Sequence, residues 1–568
     1  MMRQQPIRRN VPIKGMNTVA PKRNFSDEYS PSIVNCWYDD GVTLKRRLCA
    51  LQSNTAILPN PIKTMFEYKV TLQDLFIQDS VTGLVSKLGV NSITPTTATF
   101  ANKVRTATLN KIMVCGDGIG AAQIYNGATF TPFSTPQITT AAVTSAMIAR
   151  TAAKTAQVAA NAAVLAAAPT ATTPALLTAL TGLRTTLATA NATLSTADAA
   201  LAVAKAAGRL VPPDPSFGTN AIGSMFHVHR GRCYAAGNPA FPMTLLYSDA
   251  MNSSGVSYWS ATLGVNGELA GFIDISADLT TGDIITGITT HRGFIVVFCK
   301  NHILFYISQT KASGVLGHSL YKVVQGEGCV SPDAIQPVGE DVIFLSPNGF
   351  KKLSVSLIQG DSQVNDVSQP INNVIKRKLR PMTQIQLDKI SSSYNPTYGL
   401  YMCSFGDGDV WVMQPAFDGW FLWQGLIGNL FTASTQETYY LDATINKLTN
   451  TAFSDNGLPV VMSWETSPFK AGTDVQIRWN KASVIYESTG AASLTLSSFI
   501  DLNVATKQTS IIPTTPTAVQ TGAILEGTVK IPLSARGELL SIIVSNADMI
   551  DFRFKLIEAY VNTGGIRE

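Results

Sequence analysis

"DIITGITTHRGFIVVFCKNHILFYIS", residues Asp283 to Ser308, decides how the rest of the chain is read. A first run of β-branched residues ends near Thr290, and His291-Arg292-Gly293 turns the chain. Phe294 to Cys299 is a second run, Lys300-Asn301 a second turn, and His302 to Ile307 the return. Short β-branched and aromatic runs joined by tight polar turns predict antiparallel hairpins.

The same pattern recurs along the chain. In "DVIFLSPNGFKKLSV", Pro347-Asn348-Gly349 separates two strands. In "YGLYMCSFGDGDVWVMQPAFDGWFLWQGL", three strands turn at Gly406-Asp407-Gly408 and at Asp418-Gly419. "NKIMVCGDGIGAAQIYNGATFTPF" and "FHVHRGRCYAAGNPAFPMTLLYSDAMNSSGVSYWSA" add further strands. Units spaced roughly 40–60 residues apart, an alanine-rich insert excepted, suggest propeller blades. No strict repeat accompanies them. The predicted fold class is therefore mainly β, an irregular β-propeller, with a plain β-sandwich as the competing architecture. Beyond Leu441 the composition shifts, and "SWETSPFKAGTDVQIRWNKASVIYES" and "ELLSIIVSNADMIDFRFKLIEAYVNTGG" alternate as strands on either side of a Thr/Pro-rich linker, Thr506 to Thr521. The expected organisation is an N-terminal arm with the first platform and propeller strands (1–60), a first propeller part (61–138), an inserted helical hairpin (139–208), the remaining blades (209–451) and a C-terminal β-sandwich-like platform (452–568).

The insert breaks the β pattern. Thr139 to Ala168 contains neither Gly nor Pro, Pro169 and Pro174 bracket a turn, and a second run extends to Ala207. Gly208 stands where a helix-ending glycine belongs, ahead of Pro212 and Pro213. Leu180, Leu187, Leu194 and Leu201 recur every seven residues, with Leu176, Leu183, Ala190, Ala197 and Ala204 as the alternate positions. That is a heptad seam with small residues in it. On the first helix, Ile148, Thr155 and Ala162 with Thr151, Val158 and Leu165 are expected as the partner stripe. Two helices of ~30 residues would make an antiparallel hairpin ~45 Å long. Its faces are Ala and Thr rather than Lys and Glu, so contact with other copies is expected. The interface residues expected there are Leu180, Leu187, Leu194, Leu201, Val158 and Leu165.

Composition bounds the chemistry. A chain of 568 residues holds two to four domains. Charged residues are only 14%, below the usual quarter or so, which fits a protein whose surface is covered by its own copies. The net charge of +5 does not announce a nucleic-acid binder. Seven scattered cysteines without C-x-x-C spacing argue against a disulfide framework and a zinc site. The basic N-terminal stretch lacks the apolar run of a secretory signal, and no apolar stretch is long enough for a transmembrane helix.

Each candidate motif has a structural reading beside it. "VCGDGIGAAQ" (Val114 to Gln123) superficially resembles a dinucleotide-binding loop, but "IYNGATF" follows where a helix is needed. His227 and His229 share a strand face and offer two metal ligands, with no third histidine near. Asp407 and Asp409 offer a cation seat or a carboxylate pair, or simply turn residues. "SDAMNSSGVSYW" (Ser248 to Trp259) loosely follows the Asp-box turn of sialidase propellers. "KRKLR" (Lys376 to Arg380) and "KRR" (Lys45 to Arg47) are the densest basic runs, read as phosphate contacts or, more simply, as a solvated helix end or an inter-subunit salt bridge. No catalytic, cofactor or metal residue is expected.

Several stretches together resemble the tail nozzle proteins of short-tailed bacteriophages, also called tail tubular protein B or phage stabilisation protein. They are "SPSIVNCWYDDGVTLKRRL" (Ser30 to Leu48), "HRGRCYAAGNPAFPMTLLYSDAMN" (His229 to Asn252), "GDIITGITTHRGFIVVFCKNHILFYIS", "GEGCVSPDAIQPVGEDVIFLSPNGFKKL" (Gly326 to Leu353) and the closing "RGELLSIIVSNADMIDFRFKLIEAYVNTGGIRE". The alanine-rich hairpin departs from the family pattern. The resemblance implies a non-enzymatic structural virion protein, assembled in the host cytoplasm into a sixfold tail ring. It implies an irregular propeller joined to a β-rich platform. The implied partners are five further copies, the tail adaptor, fibres or spikes, double-stranded DNA in passage without sequence recognition, and the host envelope. The alternatives are another tail component, such as a fibre or spike subunit, and a propeller glycosidase.

Overall fold

The structure is a computed structural model, and it describes residues 4–21, 25–38, 43–54, 58, 60–70, 73–89, 91–109, 111–132, 140–168, 173–207, 223–239, 241–248, 271–279, 282–310, 316–353, 365–470, 477–514 and 525–562. Two compact units divide the chain. The first comprises Met1–Thr99, Asp283–Phe305 and Tyr321–Glu568, and the second Phe100–Gly282 and Tyr306–Leu320. The chain is mainly β, built from many small sheets.

Among the described residues, seven four-stranded meanders follow one another. The first is Ile62–Lys69, Gln73–Asp79, Leu84–Leu88 and Ile93–Thr99. The second is Arg105–Leu109, Ile112–Gly116, Gln123–Tyr125 and Phe130–Pro132, and the third Met225–His229, Arg232–Ala236, Thr244–Tyr247 and Gly271–Asp274. The fourth is Ile285–His291, Phe294–Cys299, His302–Thr310 and Leu316–Gln325. The fifth is Ile335–Val338, Asp341–Ser346, Gly349–Lys352 and Asn365–Asp366. The sixth is Ser391–Asn395, Leu400–Ser404, Gly408–Gln414 and Gly419–Leu426. The seventh takes Asn429–Thr432, Thr438–Leu441 and Ile445–Thr449, and its fourth strand is Cys49–Gln52, from the other end of the chain.

Turn chemistry explains the local folding. In the fourth meander Arg292 and Gly293 have φ of 47° and 83°, and His291 pairs with Phe294. Two successive left-handed residues make the type I′ turn whose twist suits a hairpin. The third meander repeats the same triplet, with Arg230 and Gly231 at 47° and 74° and His229 paired with Arg232. Each of these meanders thus opens on a His-Arg-Gly turn.

Within each unit, packing follows chain order. In the second unit Val114 and Ile124 of the second meander share a core with Cys233, Ala235 and Leu246 of the third. In the first unit, Phe298 of the fourth meander lies 4.9 Å from Phe344 of the fifth, between ring centroids. Phe350 of the fifth stacks at 4.7 Å on Trp420 of the sixth. The amide of Leu430, in the seventh, donates to Ser391 Oγ of the sixth at 3.0 Å. Leu441 and Ile445 of the seventh bury against Ile62, Met65 and Ile77 of the first. Each such apolar side chain contributes roughly 1.5–3 kcal/mol when fully buried.

The sixth meander continues beyond its own four strands. Val34 pairs in parallel with Leu422, and Ser32–Val34 then leads through Met462–Glu465, Leu539–Asn546 and Ala492–Ile500 to Asn503–Thr514, in one ten-stranded sheet. A six-stranded sheet faces it, made of Cys36–Tyr38, Leu44–Arg46, Phe552–Asn562, Ile477–Ser488 and Leu525–Gly537, with Gln4–Asn10 also paired to Phe552–Asn562. Trp464 of the larger sheet meets Phe554 of the smaller at 6.2 Å, in the manner of a sandwich core. The segment 452–568 thus shares both sheets with N-terminal strands. Thr506 to Thr514, expected as linker, is strand, because its Thr and Ile residues pair along Ala492–Ile500. The rest of that linker lies outside the described residues, as does the Asp-box-like stretch beyond Ser248.

Candidate functional site

The polar candidates resolve first. Asp407 and Asp409 flank the turn after Leu400–Ser404, and both pair with Lys378, at 2.8 Å for Asp407. Lys378 projects from the helix Asn372–Leu379, whose Ile375 and Leu379 are buried, and its ammonium lies 5.1 Å from the Phe405 ring centroid. The lysine therefore occupies the seat a cation would take. Arg377 and Arg380 of the same basic run are exposed at the helix end.

The KRR run is different from either expected reading. Arg46 and Arg47 are each 2% exposed. Arg46 donates to the carbonyl of Phe453 at 2.9 Å and to Asn546 Oδ1 at 2.7 Å. Arg47 donates to the Leu48 carbonyl at 2.8 Å, to Asn35 Oδ1 at 3.1 Å and to Asp455 Oδ1 at 3.2 Å. A guanidinium carries five donors in a fixed fork, and backbone carbonyls with one carboxylate absorb them here. Sequence reasoning missed this hub, since the Phe453 carbonyl and the Asp455 carboxylate lie some 400 residues away in the chain.

The glycine-rich loop is a turn between strands. Asp117 Oδ1 accepts from the amides of Ile119 and Gly120 at 3.0 and 2.9 Å, and Oδ2 from Asn102 at 3.1 Å. Burial pushes this carboxyl upward, but those donors outweigh it and hold it below the usual range. The next element is the strand Gln123–Tyr125, so no helix N-terminus faces the loop.

His227 and His229 lie on one strand beside a ring cluster. His227 sits opposite Tyr234 in the register, and the Tyr234 hydroxyl lies 2.9 Å from His318 Nε2. Tyr247 packs on His318 at 4.5 Å. Burial first, and then the His229 charge, push the His227 imidazole down to about 4. Among the described residues no group of three or more His, Cys, Asp or Glu side chains is placed to hold a metal ion.

The hairpin stands between the second and third meanders as two helices, α1 (Thr140–Ala167) and α2 (Pro174–Ala207). On α2 the less exposed positions are Leu180, Leu183, Leu187, Ala190, Leu194 and Ala197, the expected seam, with Leu180 buried. Leu176 is exposed, and the side chain of Leu201 lies outside the described residues, as does Gly208. On α1 the expected stripe is corrected. Ile148, Val158 and Leu165 are exposed, and the seam is formed by Ala153, Gln157, Ala160 and Val164. Alanines at the seam let the helices approach closely, which bulky residues there would prevent. Gln157 Nε2 donates to Asn191 Oδ1 at 2.8 Å and fixes the register. Among the described residues no helix is long and apolar enough to cross a membrane.

Comparison with known proteins places the chain in no family. No family model matches the chain, and no curated protein matches it. Among solved structures, YCF48 from Cyanidioschyzon merolae aligns at 8% identity over 71% of this chain and 99% of its own, with a TM-score of 0.36. Sqt1 from Saccharomyces cerevisiae aligns at 10% identity over 37% of this chain and 65% of its own, with a TM-score of 0.22. A Bacillus thuringiensis Cry1Da tryptic core variant aligns at 11% identity over 49% and 50%, with a TM-score of 0.17.

Proposed function

We propose that this chain is a structural subunit of a bacteriophage tail, a nozzle protein that assembles as a sixfold ring, closes the DNA channel and later conducts it. In this reading the seven meanders are blades of an irregular seven-bladed propeller, and the two large sheets are its platform. The observation that carries the architecture is the pairing of Cys49–Gln52 with Ile445–Thr449. A strand that precedes the first meander completes the last, as it does when a propeller closes its circle. Supporting the structural role, Asp407 and Asp409 are engaged by Lys378, and Arg46 and Arg47 are buried donors to backbone carbonyls. The phage assignment rests on the sequence resemblance. A conduit gains nothing from gripping phosphate, and a net charge of +5 suits one.

Mass photometry and negative-stain microscopy of the full chain, alone and with the tail adaptor, test the proposal. Sixfold rings are expected. A stable monomer in the presence of the adaptor overturns it, and an elongated trimer points to a fibre or spike. Hydrolysis of host polysaccharide that Asp409→Asn abolishes would replace it with a glycosidase.

A further inference from the structure

The outer face of α1 carries large uncovered apolar side chains. Ile148, Val158 and Leu165 are 65%, 60% and 66% exposed. With Thr151, Thr155 and Ala162, all exposed, they alternate steps of three and four residues, the spacing of a coiled-coil strand. The helix thus bears a second heptad stripe, turned away from α2.

The outer face of α2 is its opposite in size. Thr178, Thr181, Thr185, Ala188, Ala192 and Ser195 follow the same alternation and are exposed. The hydroxyls of Thr178, Thr181 and Thr185 donate to carbonyls four residues back at 2.9, 2.9 and 3.0 Å, as Thr155 does on α1 at 3.0 Å. Donors satisfied inside the helix leave methyl groups to face a partner, so these positions can be dried at little cost.

We propose, resting on the ring reading above, that the α1 stripe of one copy docks on the α2 stripe of the next copy, so that the hairpins form a continuous ring of alternating helices. Size complementarity joins knobs on α1 to a shallow groove on α2. Rotation about an axis along the hairpin keeps every residue at its own height. The Gln157–Asn191 bond sets those levels, so Leu165 arrives between Thr181 and Thr185, and Val158 between Ala188 and Ala192. Charge is compatible as well. Lys154 and Arg184 stay ~15 Å apart along the axis at 1.5 Å per residue, beyond the ~10 Å screening length.

The curvature agrees with closure. At 3.5 residues per turn the seam and the outer stripe lie about 150° apart on each helix. The two stripes occupy equivalent heptad positions on antiparallel helices, so their bends add, and a head-to-tail row of this kind closes rather than running straight. Six residues a side is a small contact beside the roughly 20–30 a side of a stable pair, which suits a contact made twice by every copy within a closed ring.

A cysteine pair in the full chain tests the contact, because all seven native thiols are buried. Val158→Cys combined with Ala192→Cys, oxidised under mild conditions, should give a ladder of cross-linked species ending at six. Each single variant should give none. Rings seen by mass photometry, with helical content retained by circular dichroism and no ladder, overturn the docking while leaving the nozzle reading intact. Absence of rings overturns both. Dimers from Val158→Cys alone mean two-fold pairing of α1 with α1. Binding to phosphatidylcholine vesicles that Val158→Glu abolishes gives the stripe to a membrane. Either outcome overturns the inference.

Discussion

Ala50 and Leu448 are backbone partners across a strand pair, and the Asp455 carboxylate accepts the Ala50 amide at 2.7 Å. The same carboxylate pairs with Arg47, so one side chain ties the backbone of Cys49–Gln52 to a buried guanidinium. Asp455→Ala leaves that cation without its carboxylate. Breaking a buried pair on one side costs about 3–5 kcal/mol. Chemical denaturation should show a loss of that order, and a change under about 1 kcal/mol would show that this carboxylate does not hold the strand pair.

The two faces of the hairpin should respond differently to truncation. Leu180 is buried at the seam, whereas Val158 is exposed. Leu180→Ala should cost about 2–4 kcal/mol, and Val158→Ala should change the stability of the isolated chain by no more than ~0.5 kcal/mol. Thermal melts followed by helical circular dichroism compare them. Equal losses would mean that the seam has been assigned to the wrong face.

Acid should weaken the second unit. His227 titrates at about 4 in the fold, held down by burial and the His229 charge, against roughly 6.5 for a free imidazole. The unfolded chain takes up this proton first, so the contribution is intact above pH ~6.5 and is lost as pH falls toward 4, on the order of 3 kcal/mol in all. Urea midpoints between pH 4 and 7 should fall with acid, and His227→Gln should flatten the slope. An unchanged slope in the variant assigns the effect to other groups.

The thiols should be silent until the protein unfolds. All seven are buried, and burial raises Cys49 to about 11 and Cys36, Cys233 and Cys329 to about 12, with Cys115, Cys299 and Cys403 also raised. Thiolate is the reactive form. At pH 8 Ellman's reagent should find no fast-reacting thiol in the native state and seven in guanidinium. The sign of the linkage follows. The native state keeps protons that the unfolded state sheds above about pH 9, so stability falls as pH rises past that point.

Hairpins were legible wherever the turn was a local event. Arg292-Gly293, Lys300-Asn301 and Asp418-Gly419 all lie where residue chemistry alone places them. The fourth strand of the seventh meander was not, because four residues at 49–52 carry no mark of a partner near residue 446. The buried arginines were missed for the same reason. A sequence displays their charge, but not the Phe453 carbonyl and the Asp455 carboxylate that absorb it. On the hairpin, heptad spacing gave the period of both helices. On α1 it assigned the bulky stripe to the inside, where close approach selects Ala153 and Ala160 instead. The repeated His-Arg-Gly turn of the third and fourth meanders was visible in the letters and unused. Its meaning lies in two left-handed residues, which only backbone angles reveal.

Gln4 pairs with Asn562, and Phe552–Asn562, the strand that Asn562 ends, lies in the middle of the six-stranded sheet. On a ribosome, that sheet has no central strand until residues 552–562 have emerged. Contacts of such sequence separation form late. The growing polypeptide therefore forms its meanders before its six-stranded sheet, and a chain interrupted before residue 552 lacks the centre of that sheet. The order of synthesis thus sets an order of folding, in which the sheet joining residues 4–10 to residues 552–562 is built last among the described sheets.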